Sequence, residues 1–247
     1  MAENKFPTEV IDLPSEGKFY PDDSPLKSGK LELKYMTAKE EDILTSQNLI
    51  KKGVVIDKLL ENLIITPNVH PDDMILGDKN AVMVAARILA YGPEYPAEVT
   101  NPNTEQPTTH IFNLADCPFK KANDDVSENK FTVKLPVGKQ TVEFKVLTGK
   151  EEKQIDLELT QIKKYNPGIS RELTTRLKHS IISIDGNADK LEISKAVDNM
   201  LSRDSLYLRN QIKDVSPDII MQQTIDMEGE EVKVDIPMTV NFFWPES

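Results

Sequence analysis

Apolar and polar positions along the chain follow two periods, and one stretch joins them. In Leu31-Glu32-Leu33-Lys34-Tyr35 apolar and charged residues alternate, the pattern of a half-buried strand. From Thr37 the period lengthens to that of a helix, with Met36, Ile43, Leu44 and Ile50 on one face as far as Lys52. Thr37 and Glu40 have the spacing of a capping box, in which each residue satisfies a main-chain N–H that the first helical turn leaves open. The stretch recurs at a constant offset of 111 residues: Glu32/Glu143, Lys34/Lys145, Thr37/Thr148, Lys39/Lys150, Glu40/Glu151 and Glu41/Glu152 are identical. Thr148 and Glu151 therefore form a second predicted cap. A repeat at about half the chain length points to a duplicated domain rather than a solenoid.

The remaining periodicity fills in two similar halves. Residues 1–30, broken by Gly17, Pro21, Pro25 and Gly29, read as an extended N-terminal arm. A first α+β repeat over 31–120 continues with a helix over 54–64 and a loop over 66–73. A nearly all-apolar helix from about residue 78 to 89 should be central and buried, with Gly92-Pro93 ending it. A hairpin follows, 98–100 with 108–114 around a proline-marked loop. Residues 117–129 lack a period and read as a linker. The second repeat, 130–247, opens with a hairpin over 131–147 and a helix from Thr148, then helices over 171–184, 190–201 and 204–215. It closes on alternating stretches at 232–236 and 239–244. The predicted class is α+β, internally duplicated, each half holding strands, a small helical bundle and a closing β-hairpin.

Composition narrows the function. The net charge is −11, and no basic run exceeds two residues, which argues against nucleic acid as the main partner. Cys117 is the only cysteine, so no intrachain disulfide can form. The N-terminus has no apolar signal core, and no stretch is long and apolar enough to span a membrane. These features fit a cytoplasmic protein.

Candidate chemistry is sparse. His70, His110 and His179 have no metal-ligand neighbours at useful spacing, and Cys117 has no flanking base. Asp185-Gly186-Asn187-Ala188-Asp189 opens like a calcium loop, but Lys190 and Ala196 occupy the positions of its glycine and bidentate glutamate. The expectation is a chain with no catalytic, cofactor-binding or metal-binding residues, hence not an enzyme. Partner surfaces remain. Phe242, Phe243 and Trp244 put adjacent aromatics on both faces of the last predicted strand, either as an interface or as a strand buried on both sides. Phe19 and Tyr20 are adjacent aromatics of the arm, which as an extended segment can add to a partner's sheet edge.

Several longer words are also informative together. Leu13-Pro14-Ser15-x-Gly17-x-x-Tyr20-Pro21, Lys34 through Thr45, Asp57-Lys58-Leu59-Leu60 and Gly77-Asp78-Lys79-Asn80 stand in the first half. Leu147 through Glu152, Thr174-Thr175-Arg176-Leu177-Lys178, Ile236-Pro237 and Phe243-Trp244-Pro245 stand in the second. These words resemble the baseplate hub assembly proteins of T-even-type contractile-tailed phages, over nearly the whole chain. The resemblance implies a non-enzymatic chaperone or scaffold for hub subunits, with phage baseplate hub proteins as partners. It places the protein in the host cytoplasm during assembly or in the virion baseplate. Two alternatives stay open: a structural subunit retained in the baseplate, and an enzyme or nucleic-acid-binding module whose site is assembled from residues distant in sequence. The family supplies no functional residues to carry over.

Overall fold

Both copies of the repeated block fold as strand, turn and capped helix in the computed structural model, which describes residues 6–100, 106–165, 168, 170–227, 229–238 and 240–243. In the first copy, β1 (Thr8–Asp12) pairs antiparallel with β2 (Lys30–Lys34), Val10 opposite Glu32. The chain between them is not an extended arm. Leu13, Phe19, Tyr20 and Leu26 are all buried, and a 3-10 turn over Pro25–Ser28 closes the loop. Gly17 makes that closure possible: it has φ +77°, and a Cβ there would stand 2.2 Å from the Lys27 carbonyl oxygen.

The helix expected over 37–52 divides into α1 (Ala38–Leu44) and α2 (Gln47–Lys51). At the break the Thr45 hydroxyl donates back to the carbonyls of Glu41 and Asp42, a local competitor to the helical ladder. Next come α3 (Val55–Leu63), the long α4 (Leu76–Tyr91) and the hairpin of β3 (Glu94–Thr100) with β4 (Pro107–Asn113). As its composition predicts, α4 is central, burying Ala81, Val82, Val84 and Ala86.

The predicted linker is built into the fold. Cys117 and Ala122 are buried, and β5 (Phe119–Lys120) lies in a two-stranded sheet. Beyond it, β6 (Phe131–Lys134) and β7 (Thr141–Phe144) lead into α5 (Gly149–Tyr165) and α6 (Glu172–Ser180). The helix expected over 171–184 stops at Ser180. Ile181-Ile182-Ser183-Ile184 instead forms β8 (Ile181–Ile184), the third strand of the order β6-β7-β8. β-Branched residues suit a pleated surface, and β7 offers a free ladder. The Asp185-Gly186 pair turns the chain with both φ values positive.

After α7 (Lys190–Asp198) and α8 (Ser202–Val215), β9 (Asp218–Ile219) pairs with β5. The closing hairpin is β10 (Gln222–Met227) with β11 (Glu230–Asp235), and Val240–Phe243 is a 3-10 turn rather than its second strand. Among the described residues, five small sheets and the intervening helices make a mixed α+β fold.

Two hydrophobic cores result among the described residues. The larger gathers first-half residues such as Leu33, Leu59 and Phe112 together with Ile219, Ile225, Met227, Val234, Ile236, Phe242 and Phe243. The smaller joins Val142, Phe144, Leu177, Ile184, Val197 and Leu208. Phe131 and Val215 pack against both. The region expected as one second repeat is thus shared between the cores, its last strands lying on the first.

Candidate partner-binding cleft

The repeated polar residues act in the same way at both sites. Glu40 takes the Thr37 N–H at 3.0 Å, the Thr37 hydroxyl at 2.6 Å and the Lys34 ammonium at 2.9 Å. Glu151 takes the Thr148 N–H at 2.9 Å, the Thr148 hydroxyl and the Lys145 ammonium at 2.5 Å. Burial alone would raise both carboxyls, but the lysine and threonine donors outweigh it and hold them below the ordinary glutamate value. Thr37, Glu40, Thr148 and Glu151 are therefore helix caps, each box anchored by a lysine from the preceding strand.

Other sequence words meet as contact pairs. Asp78 accepts from the Ser15 N–H at 2.9 Å, the Ser15 hydroxyl at 2.6 Å and the Tyr20 hydroxyl at 2.6 Å, fastening residues 13–29 to the first turn of α4. Burial pushes the Asp78 carboxyl up, and burial beside Asp78 pushes the Tyr20 phenol well up. Asp57 stands between Lys79, at 2.5 Å, and Lys153, at 2.9 Å, and Lys153 also reaches Asp72 at 2.6 Å. Burial again opposes the Asp57 charge, but the two lysines prevail and lower its carboxyl. Arg176 is held by Glu152 and by Glu172.

The aromatic residues singled out from sequence sit inside. Phe19 and Tyr20 are each 5% exposed, and the Phe19 ring lies 5.8 Å from that of Phe131. Phe242 and Phe243 are 3% and 2% exposed, with Tyr95 edge-on to Phe242 at 5.1 Å. A 3-10 turn lets neighbouring side chains enter one core, which a strand's alternation would forbid. Trp244 lies outside the described residues. None of the four placed aromatics is available to a partner in this fold.

The histidines stay apart: His110 packs edge-on to Phe112, and His179 meets Glu158 at 3.2 Å. Burial pushes the Cys117 thiol up. Among the described residues no group of three or more His, Cys, Asp or Glu is placed to hold a metal ion, and no helix is long and apolar enough to cross a membrane.

A cleft of about 640 Å³ opens where the two cores meet, between α6 and α8. Leu173, Arg176, Leu177 and Ser180 present one face of α6, at spacings of three, four and seven residues. Arg209, Ile212 and Lys213 on α8, with Ser216 at its C-cap, repeat that spacing. Leu76, Val146 and Leu147 add apolar lining from the region where α4 begins. The rim is mixed in charge. Arg176 is already neutralised by Glu152 and Glu172, whereas the exposed Arg209 and Lys213 have no carboxylate partner among the described residues. An apolar floor beside two unpaired cations can seat an apolar side chain and an acidic group of a partner together. This site was missed in the sequence because each helix reads by itself as a solvated amphipathic helix; only their juxtaposition makes a cleft.

A family model described as T4 bacteriophage base plate protein matches residues 7–244 of the chain. No curated protein and no solved structure matches it.

Proposed function

Because the chain belongs to the T4 bacteriophage base plate protein family, we propose that it is a non-enzymatic assembly factor that holds hub subunits at the α6–α8 cleft. Family membership implies interaction with other phage baseplate proteins, in the assembling particle or in the virion. The observation that carries the finer reading is the pair Arg209 and Lys213, without an ion-pair partner among the described residues, beside an apolar floor in a chain of net charge −11. Many of the other motif residues are engaged within the fold, whereas this cleft has polar groups left to offer. Charge at its rim would govern recognition and encounter rate more than total affinity.

The family description also favours a second reading, a subunit that stays in the baseplate. One experiment separates the two: affinity capture of the tagged chain from infected cells, beside a protein inventory of purified virions. Hub subunits captured by the wild type, lost in an Arg209→Glu, Lys213→Glu variant and unaccompanied by this chain in virions support the assembly factor. Fixed copy number in virions makes it a structural subunit. Capture of no hub subunit, or capture unaffected by the charge reversals, overturns the cleft assignment.

A further inference from the structure

The outer edge of β1 is open, and its chemistry suits a second copy of itself. In antiparallel pairing alternate residues of a strand turn their N–H and C=O toward the partner strand. Glu32 turns its own away from β1, accepting from the Ile65 N–H at 3.0 Å and donating to the Thr66 hydroxyl at 2.9 Å. The contacts flanking the ladder agree: Tyr35 donates to Pro7 and Leu13 to Gly29. Glu9 and Ile11 therefore bond to β2, while the main-chain groups of Thr8, Val10 and Asp12 face outward with no partner among the described residues. β1 carries no proline, lysine or bulge, and of the usual devices that blunt an edge it has only the carboxylates of Glu9 and Asp12. Val10 is 59% exposed in its middle.

We propose that two copies of the chain associate through antiparallel β1–β1 pairing about a two-fold axis at Val10. The outward-facing residues fall into register: Thr8 opposite Asp12, Val10 opposite Val10, Asp12 opposite Thr8, each pair exchanging two main-chain hydrogen bonds. On the same sheet face the two exposed valines meet, and each Asp12 lies between the partner's Thr8 and its own Lys30, already 3.4 Å away. On the other face Glu9 stands opposite Ile11. No like charges are directly opposed, so the edge is complementary to itself. A four-stranded sheet, β2-β1-β1-β2, results. Contact area is small and each chain carries −11, so the dimer tightens as salt screens the overall repulsion.

Sedimentation velocity of the full chain over a micromolar concentration series tests this. The wild type should sediment with twice the chain mass at the upper concentrations, more so in added salt. Val10→Glu and Val10→Lys, each placing like charges at the axis, should sediment as monomers alone and as a heterodimer when mixed. Val10→Pro removes an outward N–H without touching the β1–β2 ladder and should also be monomeric. A wild type that stays monomeric throughout overturns the proposal, as does dimerisation undiminished in Val10→Glu and Val10→Pro, or a Glu/Lys mixture that does not associate.

Discussion

Lys153 on α5 stands 2.9 Å from the carboxylate of Asp57 on α3, tying a helix of the second half to one of the first. Lys79 on α4 takes the other oxygen at 2.5 Å, and the Asp57 and Lys79 side chains are only 12% and 17% exposed. Asp57→Ala should cost about 1–3 kcal/mol, mostly through the stranded Lys79, because a poorly hydrated group left unpaired keeps its desolvation penalty. The more exposed Lys153 contributes the smaller part, about 0–1 kcal/mol. Urea denaturation measures the sum. Since the folded Asp57 carboxyl lies below its ordinary value of 3.8, this stability is present above 3.8 and is lost as pH falls through the folded value. Wild type and Asp57→Asn should converge in acid.

Asp78 titrates with the opposite sign. Burial raises its carboxyl above 3.8, so the folded chain holds that proton more tightly than the unfolded chain. Its contribution is full below 3.8 and declines as pH rises through the raised value, so the stability advantage of wild type over Asp78→Asn should shrink over that rise. Tyr20→Phe should cost about 1–3 kcal/mol, because Asp78 loses a donor and the buried Ile75 N–H loses its acceptor. Thermal melts of the variants across the pH series measure both effects.

Gly77 marks the closest approach of two distant segments. A Cβ there would stand 1.9 Å from the Pro217 carbonyl oxygen and 2.8 Å from the Asp218 Cα. These are main-chain atoms that cannot swing aside, so Gly77→Ala should cost about 1–3 kcal/mol or more as the start of α4 is pushed from the α8–β9 connection. At Gly186 nothing among the described residues lies within 4 Å, and alanine there should cost only the strain of φ +79°, about 1 kcal/mol. Comparing the two midpoints in urea separates steric from conformational need.

Reversal of Arg209 and Lys213 should leave the melting midpoint nearly unchanged, within about 0.5 kcal/mol, because both side chains are exposed and make no ion pair among the described residues. Scanning calorimetry on the double variant checks this, so that any loss of captured partner reports the surface and not the fold.

Local patterns were the legible part of this chain. The strand–cap–helix words, central α4 and the hairpin of β3 and β4 follow from period and caps that a few neighbouring residues determine. Pairing between distant segments left no comparable mark. Ile181-Ile182-Ser183-Ile184 continues the apolar spacing of α6, and only the free edge of β7 makes it a strand. Phe242 and Phe243 read as an exposed or two-faced strand because their cover, Tyr95, lies far away in sequence. Phe19 and Tyr20 read as an arm because their anchor, Asp78, belongs to another element. The cleft was invisible for the same reason: its two helix faces are each ordinary, and their opposition is a property of tertiary packing.

The placement of β10, β11 and the Val240–Phe243 turn on the first core bears on how the chain matures at the ribosome. Ile225, Met227, Val234, Ile236, Phe242 and Phe243 complete a core begun by Leu13 and Leu33, so that core stays open to solvent while the intervening residues are translated. The smaller core, whose buried residues lie between Leu135 and Leu208 and whose packing partners lie between Phe131 and Val215, draws on one continuous stretch of chain and can close first. The larger then forms by closing a long loop, the slow kind of contact. Until then the growing chain exposes the apolar surface of that core.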